Sequence, residues 1–377
     1  MNAIRNARIV TAAQDFTGSL LIRDESILEV NCGTVGVVGD DWEGDFLIPG
    51  LVELHTDNLE KHLMPRPKVQ WPILPAIIAH DAQIAAAGIT TVLDAISVGD
   101  IDADSLRNQT LAACSEGLKR AIASGVLRAE HFLHIRLELA EEHLLEMFAP
   151  FLHDERLRLV SLMDHTPGQR QWTDISHYRT YVSGKRGWSE DKVDSMLARL
   201  LVRQEAFAAC NRTAVIAACR KRAHPVPLAA HDDTTVAHVN ESVSDGIVIS
   251  EFPTTNAAAA AARMHGMGII MGAPNMVRGG SHSGNVSAAE LARSDCLDVL
   301  SSDYVPASLL HAAFLLTKEG FGLAKAVATV TRNPAHMVGL VDRGEIAAGL
   351  RADYLRVRVM DEVPIVVAVW RAGKRIC

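Results

Sequence analysis

Residues 47–68 read LIPGLVELHTDNLEKHLMPRPK. An apolar run, LIPGLVEL, stops at His55, and behind it crowd Asp57, Glu60, Lys61, His62, Arg66 and Lys68. A continuously apolar run matches a strand covered on both faces, the signature of a parallel sheet. Polar groups packed just past such a strand suit a (β/α)8 barrel, whose functional side chains stand at the C-terminal ends of its strands. Residues i and i+2 of a strand face one side, so His55 and Asp57 can approach one ion together where the chain stays extended.

Working outward, seven more runs share this character: ITTVLDAI (89–96), HFLHIRLEL (131–139), RLRLVSLMD (156–164), PVPLAA (225–230), GIVIS (246–250), GIIMGAP (268–274) and CLDVLSS (296–302). Between them lie helix signals. Ser189, Glu190 and Asp191 open a long helical stretch over 188–222, Ser287 and Glu290 form a capping box, and Pro306 suits the first turn of a helix through SLLHAAFLLTK. Eight strands separated by helices predict a parallel sheet, and the number eight favours an α/β barrel of the (β/α)8 type over an open sheet. The two ends differ. ARIVTA, GSLLIR, SILEVN and VGVVGD before residue 46, and GEIAAGLRADYLRVRVMDEVPIVVAVWRAGKRI at 344–376, alternate in the manner of small antiparallel strands. The economical division is a β domain built from both termini, residues 1–46 plus 338–377, around a catalytic barrel of residues 47–337.

The C-terminal ends of the apolar runs carry six imidazole or carboxylate groups, spread over five strands. They are His55 and Asp57, Glu138, His165, His231, and Asp303. Taken alone, a strand histidine usually packs and an aspartate after a strand usually caps a helix or makes a turn. Their shared placement is what points to metal, since neutral imidazole and ionised carboxylate supply the lone pairs that Zn, Mn or Fe accept. A carboxylate such as Glu138 could bridge a second ion beside the first. Asp232 and Asp233 precede TTVAHVNES and read as including a helix cap. His80, His131, His134, His238 and His265 lie inside strand or helix patterns and read as structural.

Composition narrows the setting. With 377 residues, 48% of them hydrophobic, the chain can bury a large core. A net charge of −8 opposes nucleic acid and other polyanions unless basic groups gather locally. Six scattered cysteines form no CxxC pair, and neither a signal peptide nor an 18-residue apolar run is evident, so a cytoplasmic protein without membrane attachment is expected.

These features resemble the amidohydrolase superfamily over nearly the whole chain. The resemblance rests on LIPGLVELHTD after an N-terminal β segment, single histidines at two later strand ends, Asp303 at the last, TRNPAHMVGL, and the closing GEIAAGLRADYLRV. Two departures stand out: His55-Thr-Asp57 where the superfamily commonly has His-x-His, and Glu138 where it often has a carboxylated lysine. Together with HTDNLEKH, LMDHTPGQ, AAHDD, SEFPTT and SSDYVP, these variations resemble one branch, the diphosphatases of phosphonate utilisation. That resemblance implies hydrolysis of a ribose-linked 5-triphosphate to the 5-phosphate and pyrophosphate, one or two divalent ions, zinc foremost, and Asp303 as general base. It implies a small phosphorylated ribose phosphonate as the partner and leaves a homo-oligomer open. A triphosphate needs local cations, and Lys61, His62, Arg66, Arg170, Arg278 and His282 are the candidates, with Lys68, Lys185 and Arg186 nearby. The rival expectations are a deaminase or cyclic-amide hydrolase of the same fold and a non-catalytic scaffold.

Overall fold

A computed structural model describes residues 1–33, 38–66, 69–100, 106–170, 175, 179, 190–281 and 284–377. Two sheets of eight strands organise it. The first gathers both ends of the chain: β1 (Asn2–Val10), β2 (Asp15–Arg23), β3 (Ser26–Cys32), β4 (Asp40–Asp41) and β5 (Phe46–Pro49) from the N-terminal side. From the C-terminal side come β14 (Tyr354–Met360), β15 (Val363–Arg371) and β16 (Lys374–Arg375), and the order is β16-β15-β14-β5-β1-β2-β3 with β4 on β1. The expected union of the two termini is therefore present. Its core is Trp42, Tyr354, Ile9, Leu20 and Leu47, all buried, with Tyr354 stacked on Trp370 at 4.8 Å between ring centres. Of the expected strand VGVVGD, residues 35–37 lie outside the described residues.

The second sheet runs through the middle of the chain: β6 (Leu51–Thr56), β7 (Ile89–Val98), β8 (Glu130–Glu138), β9 (Leu157–Met163), β10 (Leu228–His231), β11 (Ile249–Glu251), β12 (Gly268–Gly272) and β13 (Val299–Ser301). Its strands follow one another in chain order. A parallel bridge between Thr56 and Asp303 brings the last strand back to the first, giving the (β/α)8 barrel. Every residue of β6 and β7 is buried, which is why both read as unbroken apolar runs.

One strand expectation is corrected. LIPGLVEL is not a single barrel strand: Phe46–Pro49 pairs with β1 and β14 in the terminal sheet, and the barrel begins at Leu51. The change of sheet occurs at Gly50, whose N–H donates to the Asp353 carbonyl at 2.9 Å. A Cβ there would run into the Thr90 side chain, so only glycine lets β5 turn so tightly into β6.

By internal packing the chain divides into two compact units, one of Met1–Asp94, Cys114–Phe132 and Met271–Cys377, the other of Ala95–Ala113 and Leu133–Ile270. In the first, α1 (Asn58–Leu63) follows β6 directly and α2 (Ile73–Ala86) leads to β7. The Ser287–Glu290 capping box forms in full. Pro306 sits ahead of its helix, which starts at Ser308. In the second unit, the 188–222 stretch is helical over Glu190–Arg203 and Ala209–Arg220 with a π-turn between them, while Ser189 lies outside the described residues. The cap of Val236–Ser244 is Thr235, whose hydroxyl accepts from the His238 N–H; neither Asp232 nor Asp233 caps. No helix among the described residues is long and apolar enough to cross a membrane.

Candidate metal centre

In the first unit the end of β6 is zipped to Asp303, two residues past β13. The Asp303 N–H donates to the His55 carbonyl at 2.9 Å, and the Asp57 N–H donates to the Asp303 carbonyl at 2.8 Å. The Thr56 hydroxyl reaches the same carbonyl at 3.1 Å. Asp303 pays for this register with a left-handed backbone, φ 52°, a conformation that aspartate tolerates better than most residues. One ligand atom each from His55, Asp57 and Asp303 then lies within 4.8 Å of the others. His55 is 1% exposed and Asp57 28%. Asp57 occupies the N-cap position of α1, and its side chain makes no capping hydrogen bond.

Beneath this set sits a residue the sequence reading passed over. The fully buried Glu53 accepts from the N–H groups of His55 and Ser302 and from the Ser301 hydroxyl, each at 2.6 Å. Burial pushes its carboxyl above the usual range, against the pull of those donors. One carboxylate thus stitches the first strand to the last, directly below His55 and Asp303. Its only signal in the sequence is an acid inside the apolar run LVEL.

The second unit carries another grouping. His165 lies two residues past β9, and both oxygens of Glu138, at the end of β8, serve it: Oε1 accepts the His165 N–H at 3.1 Å and Oε2 pairs with Nδ1 at 2.7 Å. His165 Nε2 lies 3.6 Å from Asp232 Oδ2, and His231 Nδ1 lies 2.9 Å from the same oxygen. Asp232 reaches it through a left-handed backbone, φ 60°. His165, His231 and Asp232 form a ligand set by the same 4.8 Å measure, with Glu138 orienting one imidazole as carboxylates do behind metal-bound histidines. Burial would lower the basicity of His165, but Glu138 and Asp232 outweigh it and push it up to about 10. A coordinated cation here would take the place of that proton. Asp232, expected as a cap or turn residue, is the member of this set that sequence reasoning missed.

Of the basic candidates, Lys61 stands exposed on α1, donates to the Tyr304 carbonyl and lies over the Tyr304 ring at 5.0 Å. His62 Nε2 is 2.9 Å from Gln83 Oε1. Arg66 and Arg278 are exposed. Arg170 is buried, its guanidinium paired with Asp233 and, at 3.1 Å, with Glu241. His282, Lys68, Lys185 and Arg186 lie outside the described residues. Of the histidines read as structural, His134 Nε2 meets the Ser161 hydroxyl at 2.6 Å, and His238 Nδ1 accepts from the Thr234 N–H. His80 and His131 converge on Asp94 inside the first unit.

Both strand-end sets mix imidazole nitrogen with carboxylate oxygen, the donor chemistry of a divalent metal site. No protein-family model matches the chain. It is 44% identical over 385 aligned residues to the curated alpha-D-ribose 1-methylphosphonate 5-triphosphate diphosphatase of Escherichia coli (strain K12), with 99% of each chain covered. Among solved structures it is similar to N-acetyl-D-glucosamine-6-phosphate deacetylase from Mycobacterium smegmatis, at TM-score 0.62, 15% identity and 100% coverage of both chains. It is also similar to 5-methylcytosine deaminase from Klebsiella pneumoniae, at TM-score 0.63, 14% identity, and coverage of 100% of this chain and 98% of that one. Identities this low speak for the fold alone.

Proposed function

The chain belongs to the alpha-D-ribose 1-methylphosphonate 5-triphosphate diphosphatase family, and from that premise we propose how its own residues carry the reaction. It is a hydrolase of phosphoric anhydride bonds that cleaves the ribose 5-triphosphate to the 5-phosphate and pyrophosphate in phosphonate catabolism. The identity to the Escherichia coli enzyme along both whole chains is the observation that carries this.

His55, Asp57 and Asp303 would hold one divalent ion, and His165, His231 and Asp232, with Glu138 behind His165, would hold another. Zinc suits the three imidazoles best, with Mn or Fe accepted by the same donors. A divalent ion supplies Lewis acidity and lowers the pKa of bound water toward neutrality. Asp303 takes the proton of the attacking water on a carboxylate oxygen while its main chain stays pinned to His55 and Asp57. The new P–O bond forms from the water oxygen as the anhydride bond breaks and pyrophosphate departs. Lys61, His62 and Arg66, on and just after α1, and Arg278 at the end of Ala273–Arg278, offer cationic donors to the phosphate oxygens. We place the reaction in the cytoplasm, a setting supported by six free thiols.

Incubating the protein in parallel with the ribose methylphosphonate triphosphate and a nucleoside triphosphate tests the reading. The expected result is pyrophosphate from the first substrate, abolished by chelation and restored by zinc. Orthophosphate alone, or turnover indifferent to chelators, overturns it. The deaminase and cyclic-amide alternatives have only the shared fold in their favour.

A further inference from the structure

The helix that carries Lys61 and His62 has only six residues, too few to hold its shape without tertiary contacts. It starts immediately after Asp57, whose side chain does not cap it. The Asp303 carbonyl holds the Asp57 N–H, and contacts to α2 hold the turn that follows. Asn58, the first helical residue, is 2% exposed, and its amide nitrogen reaches two groups on α2: His80 Nδ1 at 2.9 Å and Gln83 Oε1 at 3.1 Å. Gln83 Oε1 also faces His62 Nε2 at 2.9 Å, so the first turn and the middle of α1 hang from one short stretch of α2.

The direction of these bonds follows from donor chemistry. The Asn58 amide nitrogen can only donate, so His80 Nδ1 accepts and the His80 proton sits on Nε2. That proton points at Asp94 Oδ1, 2.7 Å away. Burial disfavours a second proton on His80 and lowers its basicity, in keeping with this neutral tautomer. Asp94 is itself immobilised, because its other oxygen takes His131 Nδ1 at 2.8 Å. His131 Nε2 lies 3.3 Å from Asp81 Oδ1, and Asp81 accepts the N–H groups of Arg128 and Ala129, both at 2.9 Å. His80, Asp81, Asp94 and His131 are all buried. Between two carboxylates His131 stays charged and donates to both, so Asp94 accepts from His80 on one oxygen and from His131 on the other, and the donor of every bond from the start of β8 to α1 is fixed. His80, Asp94 and His131 could be mistaken for a metal set, but they sit at donor–acceptor distances from one another and satisfy each other without an ion.

We propose that His80 is a positioning residue for the reaction: acting through Asn58, it fixes the first turn of α1 and so places the Asp57 carboxylate in its ligand set and Lys61 beside it. The inference rests on Asp57 being a metal ligand. Asp94 and His131 orient His80, as carboxylates orient metal-bound histidines one shell further in, where loss of such support typically costs 10- to 100-fold, roughly, in metal affinity.

The test uses the full-length protein, stripped of metal and titrated with Co²⁺, whose visible bands report the ligand set. His80→Leu removes both hydrogen bonds. His80→Gln keeps an amide donor for Asp94 and an oxygen for Asn58. Asn58→Ala cuts the link while leaving the buried cluster whole, and carries the test if His80→Leu does not fold. We expect His80→Leu and Asn58→Ala to bind Co²⁺ about tenfold more weakly with an altered spectrum and a kcat loss larger than the KM change. His80→Gln should recover most of the wild-type affinity. Variants that melt earlier but bind Co²⁺ with wild-type affinity and spectrum overturn the inference and leave the metal reading standing. A wild-type protein that takes up no Co²⁺ removes both.

Discussion

Two groupings of histidine and aspartate lie within the same unit, separated by little more than Asn58. His80, Asp94 and His131 are closed on themselves: each bond to Asp94 is 2.7 to 2.8 Å and both imidazoles are completely buried. His55, Asp57 and Asp303 use the same residue types at another spacing. His55 Nε2 and Asp57 Oδ1 stand 3.8 Å apart, beyond hydrogen-bond reach, and the two carboxylates are only partly buried. The first arrangement balances its charge with an imidazolium. The second brings two carboxylates to one imidazole at a strand end, a donor set that a divalent cation would complete. Between these two groupings residue type draws no distinction; the separation of the donor atoms and their exposure do.

The strongest way to break this comparison is at Asp303. Asp303→Asn keeps the shape and removes the base, and pyrophosphate release should fall about 10³-fold in kcat while metal analysis still finds bound ion. Near-normal turnover would strip Asp303 of its role. At the closed knot the effect should be on stability. His131→Asn leaves Asp94 buried without its imidazolium and Asp81 with only the Arg128 guanidinium, and urea unfolding should show a loss of roughly 3 kcal/mol. An unchanged unfolding free energy would refute the charge balance assigned to the knot.

A smaller effect is read from pH. Burial works against a charged His131, but Asp94 and Asp81 outweigh it and push its pKa up to about 9 from the ordinary 6.5. A group raised on folding contributes its full stabilisation below its unfolded pKa and loses it as pH climbs through the folded one. Unfolding free energy should therefore decline from about pH 6.5 to 9 in the wild type and lose that component of its slope in His131→Asn; identical slopes would refute the charge assignment. The smallest change is expected from Lys61→Ala, an exposed cation: KM for the triphosphate should rise a few-fold with kcat unchanged, and an unaltered KM would remove Lys61 from the substrate contacts.

Much of this architecture was legible because parallel barrel strands are apolar on both faces, so each ends visibly where His55, Glu138, His165 and His231 begin. The hidden parts depend on partners far away in the chain. LIPGLVEL is apolar on both sides of Gly50, and nothing local says that Leu47 and Ile48 pair with Arg356 and Leu355 while Leu51 pairs with Ile89. AAHDDTT offers two aspartates and two threonines to one helix start; the left-handed turn at Asp232 hands the cap to Thr235. His80 and His131 do read as structural, but that Asp94 lies between them depends on α2 packing over β7 and β8.

The pairing of β5 with β14 also bears on how the protein is made. β5 leaves the ribosome early, while its neighbour β14 emerges roughly 300 residues later, a wait of about 15 to 60 s at ordinary rates of synthesis. Until then one edge of the N-terminal sheet is an open template beside the apolar pair Leu47 and Ile48. Nascent chains, and any product truncated before residue 354, carry that edge exposed, which makes the interval before termination the period when chaperones have most to protect.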